Sequence, residues 1–546
     1  MRENHTQSVK GVIVDPISRT QKGSEIYISD DKIFRIEERK EVNEPFILPG
    51  FVDSHVHIES SMLIPSQFAR MAVKHGTIAV VTDPHEVANV AGVNGIRFMI
   101  QNAKKVPMHF FFGVPSCVPA SPFEKSGALI NAKEVEKLLG EKDFHFLAEM
   151  MNFPGVVYKD KEVIQKIEAA KKVNKPVDGH APGLTGEQLF NYINSGITTD
   201  HECSNIEEAE EKIKLGMKIL IREGSAAKNF ISLVPLIKKH PKSVMFCTDD
   251  CHPDYLETGH INRIVARAVA EGYNLYDVLS AATINPMEHY NLPLGRLRVN
   301  DWADFVIVKD LKSFEVLTSY IKGNQIFNKG KVLFDIKHED KIFFSFRKNH
   351  IKNHLQVIAE TKEINVIGAM DGELYTHWLK EEVVTSIGEV IQIRPENDFL
   401  KIVLLDRYSD NPPVVGFIRG FGLKKGAIAA SIAHDSHHIL SIGCDDHSID
   451  LALEWIVKNR GGLCYSLGNK VEGITLPYFG LMTNDDGINV SKNYKLLNKK
   501  VKENGCVLSS PFMTASFMAL TVIPELKIYH DGLFDGINFK KTSLFS

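Results

Sequence analysis

Between Phe46 and about Asn291 the sequence alternates short apolar runs with stretches of helical periodicity, and this rhythm confines the chain to a few folds. Candidate strands fall at 47–56, 77–82, 109–114, 144–148, 177–179, 197–200, 217–221 and 244–248. Amphipathic stretches at 65–75, 94–105, 161–173 and 186–195 lie between them. Eight strands, each followed by a helical stretch, fit a (β/α)8 TIM-like barrel over 48–293 in number and order. An open doubly wound sheet would carry a glycine-rich first βα turn. Here that turn reads His55-Val56-His57-Ile58-Glu59-Ser60-Ser61, so the barrel is expected.

The flanks have a different pattern. Residues 8–47 hold short β-type runs at 11–14, 25–28 and 32–36, and the β pattern returns at 294–297, 303–308 and 325–334. The two flanks, 1–47 and 294–340, are expected to combine into one composite β-sandwich. Residues 336–355 are dense in charge, but Asp335, Glu339 and Asp340 interleave with the basic residues, which predicts a solvated connector rather than a nucleic-acid patch. The remainder, 341–546, reads as a C-terminal α+β domain with a Gly/Ala/Ser-rich stretch at 416–431.

Composition narrows the partners. With 64 Lys+Arg against 68 Asp+Glu the net charge is −4, so no nucleic-acid partner is expected. The apolar runs fall far short of the ~20 residues that span a bilayer, so no membrane partner is expected either. The start, Met1-Arg2-Glu3-Asn4-His5, is polar and leads into no apolar signal-peptide core. Seven cysteines without a CxxC pair point to reduced thiols and a cytoplasmic location.

The chemistry concentrates at strand ends. In Asp53-Ser54-His55-Val56-His57, alternation along a strand puts His55 and His57 on one face, where two imidazoles form a chelating pair. Later strands end in Glu149, in Asp178-Gly179-His180, in Asp200-His201-Glu202 and in Thr248-Asp249-Asp250. Any one of these could simply cap the next helix. Joined to His55 and His57 on the rim where barrel enzymes keep their active sites, they form a candidate ligand set. His55, His57, Glu149, His180, His201 and Asp249 can hold two divalent ions if Glu149 bridges them. Mixed imidazole and carboxylate ligands suit manganese, iron or zinc. Metal coordination lowers the pKa of water, and Asp249 beside it could take that proton and deliver it to a leaving group. That predicts a metal-assisted hydrolase. Cys247 reads as a small buried thiol rather than a ligand.

The run Pro49-Gly50-Phe51-Val52-Asp53-Ser54-His55-Val56-His57, the split sheet and the later His, His and Asp resemble the amidohydrolase superfamily. In most binuclear members strand four supplies a carboxylated lysine as the bridge; Glu149 stands in that place here, which sets many subfamilies aside. Further motifs are Glu59-Ser60-Ser61, Thr82-Asp83-Pro84-His85-Glu86, Asp178-Gly179-His180-Ala181-Pro182, Cys247-Thr248-Asp249-Asp250-Cys251-His252-Pro253 and Ser431-Ile432-Ala433-His434-Asp435-Ser436-His437. With them the chain resembles the bacterial adenine deaminase family nearly end to end. The resemblance implies a free purine base as substrate, attack of metal-activated hydroxide at C6 of adenine, and release of hypoxanthine and ammonia. It also implies two divalent ions per site, manganese first among them, and a homo-oligomer is expected.

Ring N1 needs a proton or a strong donor as the adduct forms, and His85 and Glu86 are candidates for that role. Glu59, His434, Asp435 and His437 complete the expected substrate-binding set, with the segment 434–437 expected to close over the purine. A local hydrogen-bonded turn or an unrelated metal site would explain the C-terminal cluster equally well. Two other readings use the same metal set: hydrolysis of a cyclic or N-acyl amide, and a non-catalytic protein that retains metal. The second would typically have lost a ligand, and none of the expected ligand types is missing.

Overall fold

The computed structural model describes residues 7–336 and 355–546. The charged connector expected at 336–355 therefore lies almost wholly outside the described residues. The chain divides into two units. The first comprises Met1–Pro84, Phe98–Ser116 and Asn131–His338; the second comprises His85–Arg97, Cys117–Ile130 and Glu339–Ser546.

In the first unit, eight short parallel strands form a closed barrel. They are β1 (Phe51–Val56), β2 (Thr77–Thr82), β3 (His109–Val114), β4 (Phe144–Met150), β5 (Val177–Gly179), β6 (Thr199–Asp200), β7 (Lys218–Arg222) and β8 (Val244–Cys247). Strands β1 to β5 form one continuous parallel ladder and β6 to β8 another. Two seams join them. At the first, Thr198 N donates to Val177 O at 2.9 Å. At the second, Asp249 N donates to His55 O at 2.9 Å and His57 N donates to Asp249 O at 3.1 Å. The backbone of the candidate residues thus closes the barrel.

The expected strand 47–56 is two strands. Phe46–Pro49 pairs with the flanking sheet and Phe51–Val56 enters the barrel, with the change of partner at Gly50. Glycine is required there by close approach: a Cβ would sit 2.2 Å from Ile78 Cδ1 on the neighbouring strand. Strands from both flanks share one sheet. One eight-stranded sheet runs in the order Lys331–Val332, Asn324–Asn328, Val316–Ile321, Phe305–Val308, Phe46–Pro49, Gln7–Asp15, Thr20–Ser29, Lys32–Glu38. A single apolar cluster draws on both ends of the sequence, including Ile13, Ile26, Ile28, Ile47, Phe305 and Tyr320. The strand expected at 294–297 is instead a loop, with Gly295 pressed against the carbonyl of Trp302. The strand Val316–Ile321 was not anticipated, because Thr318 and Ser319 interrupt its apolar pattern; Ser319 is buried and donates to Val73 O at 2.8 Å.

The second unit is built on another eight-stranded sheet. Its order is Thr376–Glu382, Glu363–Ala369, Val414–Arg419, Leu400–Leu405, Ile439–Gly443, Ala427–Ala430, Gly462–Leu467, Lys470–Thr475. The helix Asp446–Asn459 buries Ile449, Ala452, Leu453 and Ile456 against it. Asp445 caps that helix by accepting from Ser448 N at 2.7 Å, so this acid serves the helix start. All seven cysteines are buried thiols outside any disulfide, Cys247 among them. Among the described residues no helix is long and apolar enough to cross a membrane.

One buried ion group fastens the strand ends that matter below. Lys212 Nζ donates to Asp200 Oδ2 at 2.6 Å, to Glu208 Oε1 at 2.7 Å and to Ala181 O at 2.7 Å. It fixes the helix Ile206–Lys214 to the ends of β5 and β6. Removing one partner of such a group leaves carboxylates buried without their counter-charge. K212M is therefore expected to cost about 3–5 kcal/mol, read as a lowered urea midpoint of the first unfolding transition. An unchanged midpoint would show that the carboxylates find other partners.

Candidate metal centre

Five of the strand ends in the first unit bring buried side chains to one place. His55 Nε2 and His57 Nε2, both from the end of β1, lie 3.2 Å apart. Glu149, one residue before the end of β4, stands between two pairs of imidazoles. Its Oε1 is 3.7 Å from His55 Nε2 and 3.2 Å from His57 Nε2. Its Oε2 is 2.8 Å from His180 Nδ1, after β5, and 3.3 Å from His201 Nε2, after β6. Asp249, just past β8, places Oδ1 3.4 Å from His55 Nε2 and 3.1 Å from His57 Nε2. The six side chains proposed as ligands from the sequence are thus gathered in one cluster.

Two groups that were given no role join them. Glu202 Oε1 is 3.4 Å from His201 Nε2 and 3.6 Å from His180 Nδ1. Arg222, the last residue of β7, donates from Nη1 to Asp249 Oδ2 at 2.6 Å and from Nη2 to Glu202 Oε2 at 3.0 Å. Glu202 was visible in the Asp200-His201-Glu202 run. Arg222 was signalled only by its place after the apolar run of the strand Lys-Ile-Leu-Ile-Arg.

The electrostatics suit a cation. His57 Nδ1 lies 3.0 Å from the carbonyl of Asp83, which can only accept, so the ring proton sits on Nδ1. In the neutral ring Nε2 then presents a lone pair to the carboxylate oxygens of Glu149 and Asp249, an arrangement that a metal ion between them would satisfy. Burial lowers the pKa of His55 and so favours the neutral, ligating form. Burial raises the pKa of Glu149, but the hydrogen bonds from His180 and His201 outweigh it and hold the carboxylate well below its usual range. Burial of Asp249 is likewise outweighed by the charge of Arg222. Three buried carboxylates and one guanidinium leave negative charge in excess unless histidines are protonated or cations are bound. The residues present therefore fit divalent metal ions, and subsets such as His55, His57 and Asp249, or His55, Glu149 and His201, have the reach to hold one.

The comparisons agree with this chemistry. Residues 46–326 match the family model described as amidohydrolase family, and residues 373–540 match the adenine deaminase C-terminal domain. An adenine deaminase of Methanosarcina mazei is 50% identical over 551 residues, covering 98% of this chain and 99% of its own. An adenine deaminase of Parabacteroides distasonis is 46% identical over 548 residues and covers 100% of both chains. The chain belongs to the adenine deaminase family. Among solved structures, a β-aspartyl dipeptidase from Fervidobacterium islandicum AW-1 is 16% identical with a TM-score of 0.48, over 61% of this chain and 100% of that one. The amidohydrolase family that encloses the adenine deaminases is metal-dependent.

The remaining expected site residues of this adenine deaminase family member fall in two places. Glu59 is buried in the short turn Ile58–Ser61, directly after β1 in the first unit. The other five gather in the second unit. Glu86 joins His434 Nδ1 through one carboxylate oxygen and His437 Nε2 through the other. His85 Nε2 lies 3.5 Å from Glu86 Oε1 and 3.8 Å from Asp435 Oδ1. Ala433 N donates to His437 Nδ1 at 3.3 Å, which leaves the ring proton on Nε2, facing Glu86. This imidazole therefore donates to the carboxylate rather than offering it a lone pair, which favours a hydrogen-bonded group over a metal site. Burial pushes the neighbouring Glu124 up to about 8, with Asp435 adding to the rise.

Burial lowers the pKa of His180 and His201, but the charges and hydrogen bonds of Glu202 and Glu149 outweigh it and raise both. A cation that enters must displace those protons, so its apparent affinity is expected to rise with pH through the histidine range. Calorimetric titration of the apoprotein with Mn2+ in two buffers of different ionisation enthalpy reads the protons released. An affinity that does not change with pH would exclude the histidines from the binding event.

Proposed function

We propose that this chain hydrolyses free adenine to hypoxanthine and ammonia, with His55, His57, Glu149, His180, His201 and Asp249 holding two divalent ions, manganese in preference to iron or zinc. The observation that carries the reading is the division of Glu149, one oxygen turned to His55 and His57 and the other to His180 and His201. A carboxylate so placed can bridge two ions. Two ions held there would supply water of lowered pKa as a nucleophile at neutral pH. The name shared by relatives at 44–50% identity over nearly the whole chain gives the substrate.

Asp249 carries the proton. Its carboxylate is held ionised by Arg222, so it starts the cycle able to accept a proton from the attacking water. It then returns that proton to the exocyclic amino group at C6, which leaves as ammonia. Recognition of the purine ring we assign to Glu59, His85, Glu86, His434, Asp435 and His437. What supports this is a buried set of paired donors and acceptors, most of it in the unit that carries the adenine deaminase C-terminal match. Cysteines that form no disulfide fit a reducing compartment, and we place the protein in the cytoplasm as a homo-oligomer.

D249N is expected to lower kcat by about 10²–10⁴-fold, the range typical of lost acid–base catalysis. An unchanged rate would show that another group moves the proton. E149Q is expected to lose bound metal, measured by elemental analysis, because a neutral amide is a poorer bridge; two ions and full activity in that variant would remove Glu149 from the set. Ammonia release from adenine should far exceed that from adenosine, and comparable efficiency on the nucleoside would defeat the free-base assignment.

A further inference from the structure

Arg222 is nearly fully buried at the end of β7, and a guanidinium in that position is costly unless its charge is met. Two carboxylates meet it. The guanidinium reaches both oxygens of Glu202, through Nη1 to Oε1 and Nη2 to Oε2, the second at 3.0 Å. Nη1 also donates to Asp249 Oδ2 at 2.6 Å. The backbone under the guanidinium is fixed as well. Arg222 N donates to Asn229 Oδ1 at 2.7 Å, and Asn229 Nδ2 donates to His201 O at 3.0 Å and Cys203 O at 3.2 Å. One asparagine thus ties the end of β7 to the loop that carries His201 and Glu202.

We infer that Arg222 and Glu202 are positioning residues that fix which oxygen of Asp249 faces the reacting centre; this rests on the proton-carrier role proposed above for Asp249. A carboxylate on a short side chain can turn about its last bond and exchange its oxygens. Arg222 takes Oδ2 and so leaves Oδ1 toward His55 and His57, at 3.4 and 3.1 Å. Glu202 keeps the guanidinium in register, since the paired N–H groups match both oxygens of one carboxylate. The same Glu202 lies against His180 and His201. A second path therefore connects the two imidazole pairs, from Glu202 through Arg222 to Asp249, independent of Glu149. An ammonium has one nitrogen and no planar fork, so lysine could not hold both acids in this geometry.

The test uses the full-length metal-loaded enzyme with R222K, R222A and E202Q, and with D249N alongside. Metal per chain, kcat and KM for adenine, and rescue of R222A by added guanidinium at non-denaturing concentration are measured. Expected are two ions retained, KM near that of the parent, and kcat lowered about 10–100-fold in all three variants, the usual effect of losing a group behind a metal site. Guanidinium should restore kcat in R222A and leave D249N unchanged. A parent-like kcat in R222K overturns the inference, and so does loss of metal in step with kcat, because the pair would then be holding the ions instead of Asp249. If D249N itself keeps full activity, the proton-carrier reading fails first, and that outcome is recognisable from D249N alone.

Discussion

The carboxylate of Glu149, buried between two pairs of imidazoles, is the constraint around which the first unit is arranged. A carboxylate in that position cannot be left alone, and each of its oxygens needs partners from a different side of the barrel. His55 and His57 come from β1; His180 and His201 follow β5 and β6. Only a closed sheet brings those ends within reach of one side chain on β4. The seam hydrogen bonds from Asp249 N to His55 O and from His57 N to Asp249 O show how directly the closure and the centre are coupled. The residues that finish the barrel are the residues that furnish the site.

That coupling explains what the sequence disclosed. The eight βα units were legible because most of the strands are short apolar runs, and five of them give way to candidate ligands. Strands β2, β3 and β5 lie where the apolar runs place them. The misreadings have local causes. The run through Gly50 looks continuous, yet the chain changes sheets there, at a glycine whose Cβ would sit 2.2 Å from Ile78 Cδ1. Val316–Ile321 hides a buried strand behind Thr318 and Ser319, whose polar groups find partners inside, as Ser319 does on Val73. Excursions such as 85–97 and 117–130, which belong with the second unit, have no signature in periodicity, because their partners lie hundreds of residues away.

The site was legible to a similar depth. Histidine and acid at strand ends announce themselves by type and position, so the six gathered groups could be named before any geometry was known. Arg222 could not, since an arginine closing a strand reads as solvated until burial is known, and its partners are two carboxylates that follow other strands. Residues of the second unit showed the opposite case. The density of histidine and acid at 434–438 was obvious, but the group it surrounds is Glu86, some 350 positions earlier.

Charge balance in the barrel distinguishes its buried acids. Asp200 is met by the ammonium of Lys212, and Asp249 and Glu202 by the guanidinium of Arg222. Asp178 takes a third course: burial pushes it up to about 7 despite the hydroxyls of Thr199 and Tyr290, so it sheds its charge near neutral pH. Lysine and arginine stay charged in these surroundings and cannot be exchanged for a metal. The imidazoles around Glu149 differ, because a ring nitrogen can exchange its proton for a metal ion. The fixed cations therefore hold the outer acids in place and leave the carboxylate at the middle as the one whose counter-charge can be replaced. On the proposed reading, a divalent ion would meet carboxylates that are already ionised and would displace only protons. The permanent ion pairs supply rigidity, and the titratable imidazoles supply the positive charge that a bound cation would replace.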